Sequence, residues 1–341
     1  MKLLICTQVV DKDDPSLSFF HRWLEVFARS FEHITVICLR EGVHALPANV
    51  TVLSLGKERG RVSRLRYLLR FYRYVWHERH LYDTVFVHMN QEYVLLGGWL
   101  WWCLRKPVYM WRNHYAGSWL TDVASWWCVK VFCTSRASYT ARYAKTVLMP
   151  VGVDDCFFKA ETTRIPRSVL FYGRLTPSKH PEVFIEALRL LLNKGILYTA
   201  SVYGPTAPKD ETFVQGLLDG VRKLKLEDRI VFHGGVPFAQ GPAVFAAHDI
   251  YVNLAGTGMY DKTLFEAAAA GCIVVAVSRD FADLAGQDYV LKEGNAVELA
   301  VKLEVMLSSS AAAHELLRTR LQTLAREHTI AKLAARLVEE M

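Results

Sequence analysis

The residues with the most evident chemistry lie on one short loop, directly after an apolar run. Gly173 permits a turn there, and Arg174 and Lys179 place two cations five residues apart on the same loop. A guanidinium group can bind two phosphate oxygens as a fork, and an ammonium group can bind a third. The pair therefore suits a diphosphate, although two solvated charges account equally well for this segment taken alone.

A second segment combines glycines with a short helical pattern. Gly256, Thr257 and Gly258 precede this pattern, and the backbone N–H groups of such a helix start can bind an anion. Lys262 and Glu266 follow four residues apart, in the order that stabilises a helix less well. A carboxylate there can accept two hydrogen bonds from a ribose diol. An amphipathic helix with a small-residue packing face is the alternative interpretation.

Short β-branched runs alternate with helical periodicity along the chain, which is typical of parallel sheets built from βαβ units. The predicted strands are 3–9, 34–39, 50–55, 84–88, 108–111, 131–134, 147–149, 169–172, 198–203, 230–233, 250–254, 273–276 and 289–291. Helices are predicted over 181–193 and 311–341. The loop with Arg174 follows a strand directly, and ligands of open α/β sheets bind at such carboxyl ends. We therefore predict an α/β protein with two doubly wound domains.

Length and charge indicate where the two domains divide. The chain has 341 residues, enough for two domains of ordinary size, and its 52% apolar content excludes a disordered protein. Residues 1–150 have 20 Lys and Arg against 11 Asp and Glu, and contain all nine tryptophans. We predict a basic domain over 1–155 and a second domain over 156–341, with a last helix that packs back on the first. A basic half of this kind indicates an anionic partner.

Cysteine usage and the apolar runs bear on the compartment. The seven cysteines form no CxxC pair and have no metal-ligand spacing, so we predict small buried side chains of a reducing compartment. No signal peptide is evident, and the longest apolar run, residues 93–104, is too short to cross a bilayer. We expect a cytoplasmic protein, either free or bound peripherally to the inner face of the membrane.

Several segments together resemble the family-four retaining glycosyltransferases of the GT-B fold, the glycosyl transferases group 1. The resemblance rests on Gly173-Arg174 with Lys179, and on Glu266 followed by Gly271 before a valine-rich strand. Supporting segments in the family's order are 152–154, 231–234 and 247–252. The resemblance implies two facing Rossmann-like domains with mostly parallel sheets. The first would bind the acceptor and the second a nucleotide-sugar donor.

By this resemblance, Arg174 and Lys179 bind the donor diphosphate and Glu266 binds the ribose. The implied reaction transfers a sugar to a glycan or lipid-linked acceptor with retained anomeric configuration, without a metal or cofactor. His114 follows a predicted strand and is implied to lie near the transferred sugar, and Ser18 is a candidate phosphate contact. The remaining implied donor contacts are Gly173, Gly234, Val236, Gly256, Thr257, Gly258 and Lys262.

Some positions depart from the family pattern. Gly258 stands where the family has a second glutamate, His180 stands where glycine is usual, and residues 17–21 replace a double glycine. Two alternatives therefore stay open: an inactive GT-B binding module at a membrane surface, or a nucleotide-sugar epimerase. Asp11 and Asp13 have the spacing of a metal-binding pair in another glycosyltransferase fold, but a solvated turn accounts for them, and we predict no catalytic metal.

The stretch 57–80 predicts a basic amphipathic helix. Its apolar stripe is Leu65, Leu68, Leu69, Tyr72, Val75 and Trp76, and its basic stripe is Arg66, Arg70 and Arg73. Such a helix either binds an anionic membrane surface or packs on the core with its arginines solvated. The charge excess and the tryptophans within 99–102 favour a membrane partner. Nucleic acid is disfavoured, because no recognisable reading module accompanies the charge.

Overall fold

The computed structural model describes residues 1–14, 17–60, 63–256 and 260–341, which form two compact units. Unit 1 comprises Met1–Gly152 and Ile330–Met341, and unit 2 comprises Val153–Thr329. The division after Gly152 lies just before the boundary predicted at 155. No helix in the described ranges combines the length and the hydropathy needed to cross a bilayer.

Unit 1 contains a seven-stranded sheet in which every pairing is parallel. Its strands are β1 (Lys2–Val10), β2 (His33–Glu41), β3 (Val50–Ser54), β4 (Thr84–His88), β5 (Val108–Trp111), β6 (Lys130–Cys133) and β7 (Thr146–Leu148). The order across the sheet is β3-β2-β1-β4-β5-β6-β7. The helices between them are α1 (Ser18–Phe27), α2 (Arg64–His77), α3 (Gln91–Cys103) and α4 (Trp119–Trp127).

The two faces of this sheet carry separate apolar cores, because strand side chains alternate between faces. On one face, Ile5 of β1 packs in a cluster with Phe20 and Trp23 of α1. On the other face, Leu4 of β1 packs in a cluster with residues of α2, α3 and α4, among them Trp101. The three helices α2, α3 and α4 thus form one layer over a single face of the sheet.

Unit 2 repeats this plan with a five-stranded parallel sheet of order β10-β9-β8-β11-β12. Its strands are β8 (Ile165–Tyr172), β9 (Thr199–Tyr203), β10 (Ile230–Gly234), β11 (His248–Asn253) and β12 (Ile273–Ala276). The helices are α5 (Pro181–Asn193), α6 (Glu211–Lys223), α7 (Gly241–Ala246), α8 (Lys262–Ala269), α9 (Arg279–Ala285), α10 (Ala296–Leu307) and α11 (Ala311–Arg326). The two parallel sheets confirm the predicted α/β class.

Two predicted elements are wrong. The strand predicted at 289–291 is absent from the described sheets: Tyr289 ends a 3₁₀ turn, and Val290 makes a single bridge to Ala276. The helix predicted over 311–341 is two helices, α11 and α12 (Ile330–Glu340). The break occurs because the backbone pairs there with a distant segment, where Thr329 bridges to Val153. Helix α12 then packs in the α1 core of unit 1.

Candidate active site

The centre of the unit 2 sheet lies between β8 and β11, where the strand order reverses. From β8 the chain continues through β9 and β10 on one side, whereas β12 follows β11 on the other. The carboxyl ends of two such central strands flank the crevice that binds ligands in open α/β sheets. Both segments singled out from the sequence start here, one after β8 and one after β11.

The loop that carries Arg174 is fixed by backbone hydrogen bonds to the loop after β9. The Gly173 N–H donates to the Tyr203 carbonyl at 2.9 Å, and the Leu175 N–H donates to the Pro205 carbonyl at 3.1 Å. Arg174 lies between these anchors with an exposed side chain that makes no hydrogen bond or ion pair to any described residue. Its backbone is therefore held in place while its guanidinium group is available to an anion.

Lys179 lies at the end of a short 3₁₀ turn, Pro177–Lys179, and is half-buried. Its ammonium group forms an ion pair with a carboxylate oxygen of Asp261, next to α8. The following residue, His180, has a φ of +51°, the left-handed conformation that glycine adopts without strain. The departure from glycine at this position is thus accommodated by a strained backbone rather than by a different turn.

Asp261 joins Lys179 to the start of α8. One of its carboxylate oxygens accepts hydrogen bonds from the Thr263 hydroxyl at 2.8 Å and the Thr263 N–H at 3.3 Å. Burial alone would raise the pKa of Asp261, but Lys179 and the hydrogen bonds outweigh burial and hold the pKa at about 2. Asp261 also occupies an N–H group that the sequence analysis took as open to an anion, so the helix start offers fewer free donors than predicted.

Lys262 and Glu266 form a second, more deeply buried pair one turn along α8, with Nζ and Oε1 3.8 Å apart. The charge of Asp154, a buried residue before a 3₁₀ turn, acts on both groups. Burial raises the pKa of Glu266 to about 7, although Lys262 opposes this shift. Burial likewise lowers the pKa of Lys262, against the attraction of Glu266 and Asp154. We refer to Lys179, Asp261, Lys262, Glu266 and Asp154 as the charged cluster.

The loops after β9 and β10 form the next part of the same sheet edge. Gly234 ends β10 with a φ of +72°, and its carbonyl accepts a hydrogen bond from the Gly204 N–H at 2.8 Å. The His233 ring stacks on the Tyr203 ring at 4.1 Å with an interplanar angle of 4°. Val236 is half-buried two residues beyond Gly234. These loops therefore present backbone and flat ring surfaces beside the Arg174 loop.

The glycine loop before α8 is described only in part. Gly256 is exposed, and a Cβ atom built on it would meet no atom within 4 Å. Thr257 and Gly258 lie outside the described residues. The donor contacts assigned to these three residues stay predictions.

Residues 166–309 match the family model of glycosyl transferases group 1. The matched stretch extends from β8 to α10 and contains four of the five residues of the charged cluster, all except Asp154. This part of the chain resembles a glycosyl transferases group 1 domain. A comparison of the whole chain with curated proteins gives no match.

Solved structures resemble the whole chain at low sequence identity. The crystal structure of HepE from Anabaena in complex with UDP has 18% identity over 99% of each chain and a TM-score of 0.81. HepE in complex with UDP-glucose has 18% identity over 100% of each chain and a TM-score of 0.77. Sucrose-phosphate synthase from Thermosynechococcus elongatus has 14% identity, a TM-score of 0.73, and coverage of 99% of this chain and 98% of that chain. The likeness confirms the GT-B fold, and the family match confirms the class, a glycosyltransferase.

Two candidate residues of this glycosyltransferase lie in unit 1. His114 follows β5, and its Nδ1 lies 2.9 Å from the backbone nitrogen of Ala116. The same Nδ1 lies 3.2 Å from the Ala116 carbonyl oxygen, so the two contacts orient the ring without fixing which ring nitrogen carries the proton. Ser18 is the first residue of α1, and its backbone N–H donates to the Asp14 carbonyl at 3.3 Å. The sugar contact of His114 and the phosphate contact of Ser18 both rest on the resemblance.

The sequence analysis missed the hydrogen-bonded side chains that hold the charged cluster in place. Asn253, the last residue of β11, donates to the Tyr251 hydroxyl at 2.8 Å and to the Thr263 hydroxyl at 3.2 Å. The Thr263 hydroxyl in turn donates to Asp261. The only sequence signal for this chain of hydrogen bonds is the placement of Asp261 directly before a helix, where aspartate is a preferred cap.

Asp11 and Asp13, weighed as a metal pair, lie directly after β1. The Asp13 N–H donates to an Asp11 carboxylate oxygen at 3.0 Å, which is the hydrogen bond of a local turn. Among the described residues, no group of three His, Cys, Asp or Glu side chains is arranged to hold a metal ion.

Proposed function

We propose that this glycosyltransferase transfers a sugar from a nucleoside diphosphate donor to a hydroxyl group of a glycan or lipid-linked acceptor. The observation that carries the proposal is the gathering of Arg174, Lys179 and Glu266 around the carboxyl ends of β8 and β11. This edge is the ligand-binding edge of an open parallel sheet. UDP-glucose is the first donor to test, because UDP and UDP-glucose bind to HepE, which has the same fold.

In the proposed complex, Arg174 and Lys179 bind the diphosphate. The exposed Arg174 supplies two parallel N–H donors, and Lys179 supplies a point charge. The Glu266 carboxylate accepts hydrogen bonds from the ribose hydroxyls, and the backbone of Gly234 and Val236 lies beside the base. Asp261 holds Lys179 in position before the donor arrives, so the ammonium group needs little reordering when it binds phosphate.

We propose a front-face mechanism with retention and without a metal ion. The bond between the sugar C1 and the leaving phosphate oxygen breaks, and the acceptor oxygen forms its bond to C1 on the same face. The leaving diphosphate takes the acceptor proton. Arg174 and Lys179 stabilise the negative charge that develops on the diphosphate, which is the task a metal ion performs in other enzymes. His114 contacts a hydroxyl of the transferred sugar, as the resemblance implies.

The donor KM should depend on pH through Glu266. Its pKa is raised to about 7, so the group loses its proton as the pH rises through that value, and only the ionised form accepts from both ribose hydroxyls. We expect the KM for UDP-glucose to rise about tenfold between about pH 8 and about pH 6. Lys262, Asp261 and Asp154 face the same carboxyl. Burial lowers the pKa of Lys262, whereas the pKa of Asp261, at about 2, lies well below this pH range.

Glu266→Gln is the control for this pH dependence. The variant should have a raised KM that no longer changes with pH, because the amide does not titrate. Its stability should also change in a defined direction. At Glu266 the folded wild-type chain binds more protons than the unfolded chain between about pH 4.5 and about pH 7, so the contribution of this group to stability falls as pH rises through this window. That decline should be smaller in the variant, and an unchanged KM slope in Glu266→Gln would contradict the assignment.

The test of the proposed function is transfer and donor hydrolysis by the purified protein with a panel of UDP- and GDP-sugars. We expect UDP-glucose to raise the unfolding temperature and to be hydrolysed slowly, with equal rates in EDTA and in added Mg²⁺. NMR of the first sugar released should show the anomeric configuration of the donor. Stabilisation without turnover would indicate the inactive binding module, and a changed sugar still attached to nucleotide would indicate the epimerase.

The proposal also includes the place in the cell where the protein binds. We propose peripheral binding to the inner leaflet of a membrane, where a lipid-linked acceptor of polysaccharide assembly would be within reach. Support comes from the positive charge of residues 1–150, in which the basic residues outnumber the acidic residues by nine. An anionic leaflet attracts such a domain by about 1 kcal/mol for each basic residue near the surface.

A further inference from the structure

Beyond the exposed Glu92 of its first turn, helix α3 is apolar on both its inner and its outer side. Trp101 and Leu100 are buried in the core under the helix layer, as expected for a helix that covers a sheet. Leu96, Trp99 and Trp102 recur at every third residue on the opposite side, and Trp102 is 73% exposed. A helix that is apolar all round normally lies inside a protein or in contact with lipid. The outer side of α3 therefore indicates a missing partner.

Helix α4 continues the same surface. Trp119 and Trp126 lie seven residues apart on its outer side, and Trp126 is 72% exposed. The two helices are packed closely, since a Cβ atom on Gly98 of α3 would lie 2.7 Å from the Trp127 ring of α4. The exposed tryptophans of these neighbouring helices thus lie in one layer and form a patch. Ordinary surfaces instead expose single, scattered apolar residues.

Helix α2 completes the layer and adds charge. Its predicted apolar stripe divides in the structure: Val75 is buried, whereas Leu65, Leu69 and Trp76 are exposed. The Tyr72 hydroxyl donates to the Leu96 carbonyl at 2.8 Å, which joins α2 to α3. In the sequence analysis, the alternative to membrane binding was that this stripe packs on the core. The structure instead leaves its outermost leucines and tryptophan in solvent.

Three of the four arginines of α2 are available to an anionic partner, whereas Arg70 donates to the Leu55 carbonyl at 2.6 Å. The helix contains four arginines and no acidic residue. Arg64, Arg66 and Arg73 are exposed and form no ion pair with any residue that the structure describes. On α4, by contrast, Asp122 is paired with Arg142. A protein partner would need matching acidic side chains, whereas an anionic bilayer offers phosphates for the arginines and an interfacial region that favours tryptophan.

We infer that the outer side of α2, α3 and α4 is a membrane-binding face that lies on an anionic phospholipid surface. The face is Trp76, Trp99, Trp102, Trp119 and Trp126 with the leucines beside them, and the α2 arginines supply its charge. The tryptophan rings enter the headgroup region while the arginines extend along it to the phosphates. This inference rests on the proposed peripheral membrane binding, to which it assigns a surface, and does not require the proposed donor chemistry to be correct.

The test is flotation of the full chain with vesicles of phosphatidylcholine alone or mixed in equal parts with phosphatidylglycerol. We expect binding to the mixed vesicles at least about tenfold tighter, weakened when salt is raised from about 0.1 M to about 0.5 M. Lipids brominated near the headgroup should quench the tryptophan emission. Equal binding to both vesicle types, or none, would overturn the inference.

Paired variants separate the apolar and charged contributions. Trp102→Ser with Trp126→Ser should weaken vesicle binding at least about tenfold, whereas Val305→Ser with Leu316→Ser, two exposed apolar residues of unit 2, should leave it unchanged. Arg66→Glu with Arg73→Glu should abolish the preference for anionic lipid. Lys209→Glu with Lys223→Glu makes the same change in net charge in unit 2 and should preserve that preference.

Two further comparisons of measurements distinguish this inference from self-association and from the proposed function. If the wild-type chain is a dimer without lipid, and the tryptophan variant is a monomer that still floats, the face binds a second copy and the inference fails. Because no flotation assay uses a nucleotide-sugar, a chain that hydrolyses UDP-glucose but does not float refutes this inference and the proposed peripheral binding, and leaves the proposed sugar transfer intact. A chain that floats without any donor turnover refutes only the proposed function.

Discussion

Arg174→Ala should lower kcat for sugar transfer by about 100- to 1,000-fold, the usual effect of removing one donor that stabilises transition-state charge. The side chain is exposed and makes no contact that the described residues would lose, so the unfolding temperature should stay within a degree or so of wild type. Initial rates over a range of UDP-glucose concentrations, with thermal unfolding in parallel, check both expectations. Arg222→Ala, on the exposed side of α6, is the matched control and should retain full turnover.

Lys179→Ala should lower kcat to a similar extent, and it should also make the protein less stable. Without the ammonium group, the half-buried Asp261 carboxylate loses the partner that holds its pKa low. Leaving one member of a partly buried ion pair without its partner costs roughly 1–3 kcal/mol of unfolding free energy. Adding Asp261→Asn should restore most of that stability without restoring turnover, because the cation itself is still missing. Full donor turnover in Arg174→Ala with Lys179→Ala would contradict the diphosphate assignment.

The sequence predicts the strands of both sheets well for a physical reason. Parallel strands are buried on both faces, so each one is a short apolar, β-branched run that stands out against amphipathic helices. The run at 289–291 has the same composition and is buried, but the chain makes only one bridge there. Burial and strand pairing leave the same local signature, and a single sequence does not separate them.

The parts of the site that could not be predicted are contacts between distant segments. Lys179 meets Asp261 across 82 positions of sequence, and the two belong to loops that follow different strands. The raised pKa of Glu266 comes from burial by the surrounding elements, so the sequence of α8 alone does not predict it. The end of α11 is likewise set by backbone pairing between Thr329 and Val153. Residue types and spacing identify the groups, whereas their charge states follow from the fold.

Gly204→Ala should damage the site without touching any charged residue. A Cβ atom at Gly204 would lie 1.8 Å from the carbonyl oxygen of Gly173, so the loop that carries Arg174 must move. We expect a loss of about 2–3 kcal/mol of unfolding free energy, as for other overpacked positions. A displacement of about 1 Å at Arg174 should lower kcat about 100-fold. Chemical denaturation and initial rates measure the two effects.

Gly220→Ala is the matched control, because it makes the same chemical change where the structure has room. A Cβ atom there meets nothing within 4 Å, and the position lies inside α6, where alanine is the better helix former. This variant should gain about 0.5–1 kcal/mol of unfolding free energy and keep wild-type turnover. The opposite signs of the two variants isolate the close approach of Gly204 to Gly173. Wild-type stability and turnover in Gly204→Ala would mean that the loop can shift freely, and that its hydrogen bonds to Tyr203 and Pro205 do not fix the position of Arg174.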